Sequence, residues 1–111
     1  MKAKVDIEGS ACGFTTTAIA TSDDGMYVAF DIKSHCDKVK ILAAMMTRPI
    51  EVRREIDRKQ EGEILRLVRA HLLGECNGCP VPSGLFKAMQ VAVGLAQEQE
   101  IRIRIEKEPK S

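Results

Sequence analysis

Aromatic residues are scarce in this 111-residue chain: no tryptophan, one tyrosine and three phenylalanines, 4% in all. A surface that reads single-stranded nucleic acid needs exposed rings for bases to stack on, and so little aromatic material argues against one. A dominant charge is missing too. Seventeen Lys and Arg stand against 16 Asp and Glu, a formal net charge of +1, so no overall field draws the chain to nucleic acid or an anionic membrane. No segment approaches the ~20 consecutive apolar residues that span a bilayer. The opening Met1-Lys-Ala-Lys-Val5 lacks the apolar core of a signal peptide. Nor is there a Gly-x-Ser-x-Gly elbow, a phosphate loop, a dinucleotide fingerprint or the histidine spacing of a zinc hydrolase. A cytoplasmic protein is expected, with neither nucleic acid nor membrane as partner and no catalytic residue to name.

The remaining composition, 44% hydrophobic and 30% charged, is that of an ordinary globule. Without linker, repeat or low-complexity stretch, 1–111 reads as a single domain. Val5 and Ile7 alternate with polar neighbours and predict a strand near 3–9. The threonine-rich run Phe14 to Thr21 suits a second. Asp23-Asp24-Gly25 marks a hairpin turn, after which Met26, Val28, Phe30 and Ile32 define one face of a third strand.

Helical spacing then takes over. Val39, Leu42, Ala43 and Met46 predict a helix over 37–47. Pro49 ends it and opens a highly charged helical segment with Ile50, Val52 and Ile56. Its mixed signs, Glu51 to Lys59, read as a solvated face with local ion pairs. Gly62 interrupts, 63–73 continues through Ile64, Leu65, Val68 and Leu72, and Gly74 closes it. Ser83 is the expected N-cap of a last helix carrying Leu85, Met89, Ala92 and Ala96. Finally Ile101, Ile103 and Ile105 alternate with Arg102, Arg104 and Glu106 as a strand would. The expected fold is α+β: a two-layer sandwich with three or four helices on one face of a four-stranded mixed sheet. A three-strand meander would be joined by the final strand, set beside the first.

Four cysteines stand out against this plain background, in Ser10-Ala-Cys12-Gly-Phe14, Ser34-His-Cys36-Asp37 and Cys76-Asn-Gly-Cys79-Pro80-Val-Pro82. None lies in an apolar run. An even number of chain reversals separates their loops, so direction alone places all four at one end of the sheet. Thiolates are soft ligands, and four of them suit tetrahedral zinc or an iron–sulfur cluster. Gly13 and Gly78 would let backbone approach such a centre closely, and Pro80 and Pro82 would stiffen the loop. Cys36 and Cys79 precede helices, whose N-termini are expected to lower thiol pKa values.

The first expectation is therefore a non-enzymatic metal- or cluster-binding protein with Cys12, Cys36, Cys76 and Cys79 as ligands, able to receive and pass on its cargo. A second is a thiol–disulfide redox protein with Cys79 as nucleophile and Cys76 as resolver. A third is an interaction module whose cysteines only fill tight corners. His35 could replace one thiolate, although a solvated or capping histidine explains it as simply; His71 reads as a packing residue. The protein partner is open, as is a homodimer.

Through Cys12-Gly13-Phe14-Thr15-Thr16-Thr17, Ser34-x-Cys36 and Cys79-Pro80-Val81-Pro82, followed by the Leu85–Ala96 helix, the chain resembles a family of small uncharacterised proteins of anaerobic bacteria and methanogenic archaea. The likeness covers nearly the whole length. It implies a three-thiolate centre at Cys12, Cys36 and Cys79, open or completed by Cys76, a histidine, water or an external ligand. Cys76 looks like an addition in this chain. The resemblance implies no activity or substrate.

Overall fold

Period-two alternation decides the first third of the chain. The computed structural model describes residues 1–9, 12–74 and 76–109. Strands β1 (Lys2–Gly9), β2 (Phe14–Thr21) and β3 (Tyr27–Ser34) form an antiparallel meander. Val5 lies opposite Ala18, and Ala18 opposite Ile32. Ala3, Ile7, Thr16, Ala18, Ala20 and Val28 turn inward and are buried. Lys2, Lys4, Asp6 and Glu8 are exposed on the other face. At the β2–β3 turn the Asp24 carboxylate accepts the N–H groups of Met26 and Tyr27 at 2.8 and 2.9 Å. Gly25 there adopts φ +74°, a conformation cheap only for glycine.

Helix α1 (Asp37–Met45) buries Val39 and Leu42 against the β3 side of the sheet. A two-residue strand, β4 (Ile50–Glu51), then pairs with the start of β3, Val28 opposite Ile50. The short α2 (Val52–Glu55) and α3 (Glu63–His71) follow. α4 (Val81–Ala92) lies across β1 and β2 and also touches α3. Leu42, Ile64, Leu67, Leu72, Leu85 and Met89 fill the space between helices and sheet with essentially no exposure. The α+β class, the three-strand meander and the helices packed on the sheet stand as the periodicity predicted.

Three details differ. The fourth strand is Ile50–Glu51, so the sheet runs β1-β2-β3-β4 and is wholly antiparallel rather than mixed. The expected final strand at Ile101–Ile105 has no ladder, and these residues are exposed. Alternation marks a segment able to pair, but a strand forms only where it meets a sheet edge, and after α4 the chain meets none among the described residues. The last helix also starts earlier than Ser83. Its N-cap is Pro80, and Pro82 falls in the first turn, where a missing N–H costs little.

Gly62 does separate two helices, and the break has an identifiable cap. The buried Glu55 carboxylate folds back to accept the first N–H groups of α3, from Glu63 and Ile64, each at 2.7 Å. Those donors have no partner inside the helix, and an anion at a helix N-terminus is favoured. The close return needs glycine: a Cβ at Gly62 would stand 2.4 Å from Glu55 Oε2 and 2.8 Å from its Cα.

Candidate thiol site

Each cysteine is placed by the end of a secondary-structure element. Cys12 lies in the β1–β2 turn next to Gly13, whose φ of +72° the turn requires. Cys36 is the N-cap residue of α1. Its N–H donates to Ser34 Oγ at 3.1 Å, and that hydroxyl shares a 2.7 Å hydrogen bond with Thr16 Oγ1, anchoring the residue to the ends of β2 and β3. Cys76 continues from α3, with its N–H on the Leu72 carbonyl at 2.8 Å. The Cys79 N–H returns to the Cys76 carbonyl at 3.1 Å, so Cys76-Asn-Gly-Cys79 is a tight turn. Asn77 Oδ1 holds it from outside by accepting the Gly74 N–H at 2.6 Å.

These ends meet. Cys36, Cys76 and Cys79 are partly buried and pack against the same core; Cys12 is exposed. Lys38, in the first turn of α1, places Nζ 3.7 Å from Cys76 Sγ and so joins α1 to the α3–α4 loop. The Cys79 thiol lies within electrostatic reach of Cys76, Cys12 and Cys36. Burial pushes its pKa up; the Val81 N–H pulls it down, and thiolate charge on the three other cysteines pushes it further up. Cys79 therefore departs from the expected lowering: the amide at the start of α4 does not outweigh burial and like charge.

The site is gathered but not closed. All four cysteines are thiols rather than disulfides. Among the described residues no three Cys, His, Asp or Glu side chains are grouped tightly enough to hold a metal ion as they stand. A Cβ at Gly13 or Gly78 would meet nothing within 4 Å, so open space lies in front of both. His35 is exposed beside Cys36, and His71 is half-buried on α3.

Close packing seats the Cys79 segment on the sheet. A Cβ at Gly84, in the second turn of α4, would come 2.4 Å from Ile7 Cδ1 and 3.4 Å from Val5 Cγ2. A hollow of about 590 Å³ lies at the opposite end of the sheet near Tyr27, Arg48, Glu51 and Arg54. It has mixed charge and no thiol. Lys38 is the site residue that motif reasoning overlooks. Its only signal is a basic residue two positions after Cys36, in the first turn of a helix where acidic residues are usual.

Fold and site together define a two-layer α+β domain with thiols gathered at one end of its sheet. The chain belongs to a family of unknown function, DUF6951, whose model matches residues 3–105. No curated protein and no solved structure matches it. Among the described residues no helix is long and apolar enough to cross a membrane.

Proposed function

We propose that this protein binds a thiophilic metal ion, zinc or the iron of an iron–sulfur cluster, through Cys12, Cys36, Cys76 and Cys79. The proposed setting is the reducing cytoplasm, and the proposed role is non-enzymatic: holding the cargo and passing it on. The observation that carries this reading is Cys79, half-buried within reach of three other thiols from three different loops. Thiolates crowded together repel one another, and a cation among them turns that repulsion into attraction. Zinc would take four sulfurs tetrahedrally at ~2.3 Å.

Four thiolates around a divalent ion leave net negative charge, which the Lys38 ammonium beside Cys76 offsets. An exposed Cys12 on a turn supplies a ligand that can arrive last and leave first. A site that tightens around its ion in this way suits transfer better than a rigid structural cage. The backbone at Gly13 and Gly78 leaves room for a cluster's sulfides.

Anaerobic purification tests the reading, with elemental analysis and a visible spectrum of wild-type protein and of Cys79→Ser. Bound zinc or an iron–sulfur chromophore, lost in the variant, is the expected result. A thiol–disulfide reading is favoured by one observation, the tight turn that puts Cys76 and Cys79 side by side. The raised pKa of Cys79 counts against its being the attacking sulfur. Metal-free protein with a reversible Cys76–Cys79 disulfide would support that alternative.

A further inference from the structure

Ile101, Ile103 and Ile105 are 55, 78 and 90% exposed. They alternate with Arg102, Arg104 and Glu106 in a segment that stays exposed throughout 97–109. Alternating branched apolar and charged residues are the pattern of a strand with one covered face. The family match extends to residue 105, so these isoleucines belong to the shared domain rather than to an appendage. The Gly94 and Leu95 N–H groups cap α4 on the Val91 and Gln90 carbonyls at 3.1 and 2.8 Å, and the chain departs from there.

Elsewhere the sheet has a vacant berth of matching length. β1 is outermost in the strand order, eight residues long, and among the described residues no strand pairs with its outer edge. Half of its backbone donors and acceptors face that side, the template for adding a strand. Ala3, Val5 and Ile7 point inward from it; Lys2, Lys4, Asp6 and Glu8 point outward.

We propose that two copies of this chain associate by exchanging their 98–108 segments, each laid as a fifth strand along β1 of the other. Charge order supports the match. Run antiparallel, with Ile103 opposite Ile7 and Ile105 opposite Val5, the segment sets Arg102 against Glu8, Arg104 against Asp6, Glu106 against Lys4 and Glu108 against Lys2. Run parallel, with Ile101 opposite Val5 and Ile103 opposite Ile7, it sets Glu98 against Lys2, Glu100 against Lys4, Arg102 against Asp6 and Arg104 against Glu8. Moving either register by two residues to put Ile101 opposite Ile7 or Ala3 respectively brings Arg104 or Arg102 onto Lys4, a like-charge pair. Both favourable alignments place the two arginines against Asp6 and Glu8. Within one chain the two complementary strips form no ladder among the described residues, and in the proposed exchange a second copy takes the berth.

Sedimentation velocity under reducing conditions tests the exchange on three proteins: wild type, Arg102→Glu/Arg104→Glu, and Asp6→Arg/Glu8→Arg. The wild type is expected to be a dimer and each variant alone a monomer. An equimolar mixture of the two variants is expected to regain the dimer, because every cross-strand pair is then opposite in sign. Circular dichroism confirms that each variant is folded; Arg102 and Arg104 sit on an exposed segment and their replacement leaves the core untouched. A monomeric wild type overturns the proposal, including one whose 101–105 amides are protected from hydrogen exchange by closing on their own β1. A dimer that survives Arg102→Glu/Arg104→Glu but not Asp6→Arg/Glu8→Arg pairs β1 with β1 and also overturns it.

Discussion

Lys38 Nζ stands 3.7 Å from Cys76 Sγ, a contact between the first turn of α1 and the loop that follows α3. It places a positive charge at the edge of a group of four thiols whose charges, once ionised around a metal, exceed the ion's own. Lys38→Met is therefore expected to weaken zinc binding by roughly fivefold, about 1 kcal/mol, the usual net worth of one such hydrogen bond. Competition against a chromophoric chelator measures it. Lys40→Met, which removes only an exposed pairing with Asp37 on the same helix, should leave zinc affinity unchanged.

The four cysteines should not contribute equally. Cys79 is half-buried and within electrostatic reach of the other three thiols, so Cys79→Ser is expected to abolish stoichiometric metal. Cys76→Ser leaves Cys12, Cys36 and Cys79 in place and should retain metal at reduced affinity. Elemental analysis of the folded variants distinguishes the two outcomes.

The raised pKa of Cys79 gives a signed dependence on pH. A thiol that holds its proton more tightly in the folded chain contributes stability at pH values below its unfolded pKa, ~8.5. That contribution is lost as pH rises above ~8.5 through the higher folded value. Urea unfolding of metal-free protein should therefore show stability falling over this alkaline window, and Cys79→Ser should flatten the fall. Metal affinity should run the other way. Binding displaces thiol protons, so affinity rises with pH over the same range.

Helix α3 depends on a carboxylate from outside it. Glu55→Ala removes the acceptor for the Glu63 and Ile64 N–H groups and is expected to cost ~2 kcal/mol in denaturant unfolding. Gly62→Ala should also destabilise, because its Cβ would press on the Glu55 backbone as well as its side chain. Both changes lie at the end of α3 remote from the thiols. Metal stoichiometry of the folded protein should be unaltered in either.

Gly84→Ala acts where packing and site meet. The added methyl would meet Ile7 Cδ1 and Cγ1 at 2.4 and 2.7 Å, lifting the helix that carries Cys79 at its threshold. A loss of ~1–3 kcal/mol is expected, together with weakened metal binding. Ile7→Val in the same chain removes the nearer of the two clashing atoms and should restore part of both.

Much of this organisation was legible because it rests on direction and period. Alternation in Val5–Ile7 and Val28–Ile32 specifies strands whose inner faces meet the helices, and counting reversals brings Cys12, Cys36, Cys76 and Cys79 to one end without knowing any side-chain position. What was not legible depends on tertiary competition. Ile50–Glu51 is too short to show a period, yet pairs with β3 because Pro49 and α2 bring it there. Ile101–Ile105 has a clear period but pairs with no strand of its own chain among the described residues. Lys38 and Glu55 act across breaks in the sequence, through contacts that no local pattern encodes. The thiol pKa of Cys79 depends on how deeply it is buried, which a helix N-terminus alone does not reveal.

Metal content of anaerobically purified protein, by elemental analysis of wild type beside Cys79→Ser, bears most directly on the thiol centre. Stoichiometric zinc or iron in the wild type, absent from the folded variant, is the outcome expected. A folded wild type that takes up neither metal, even when supplied with an excess of each under reducing conditions, would contradict it.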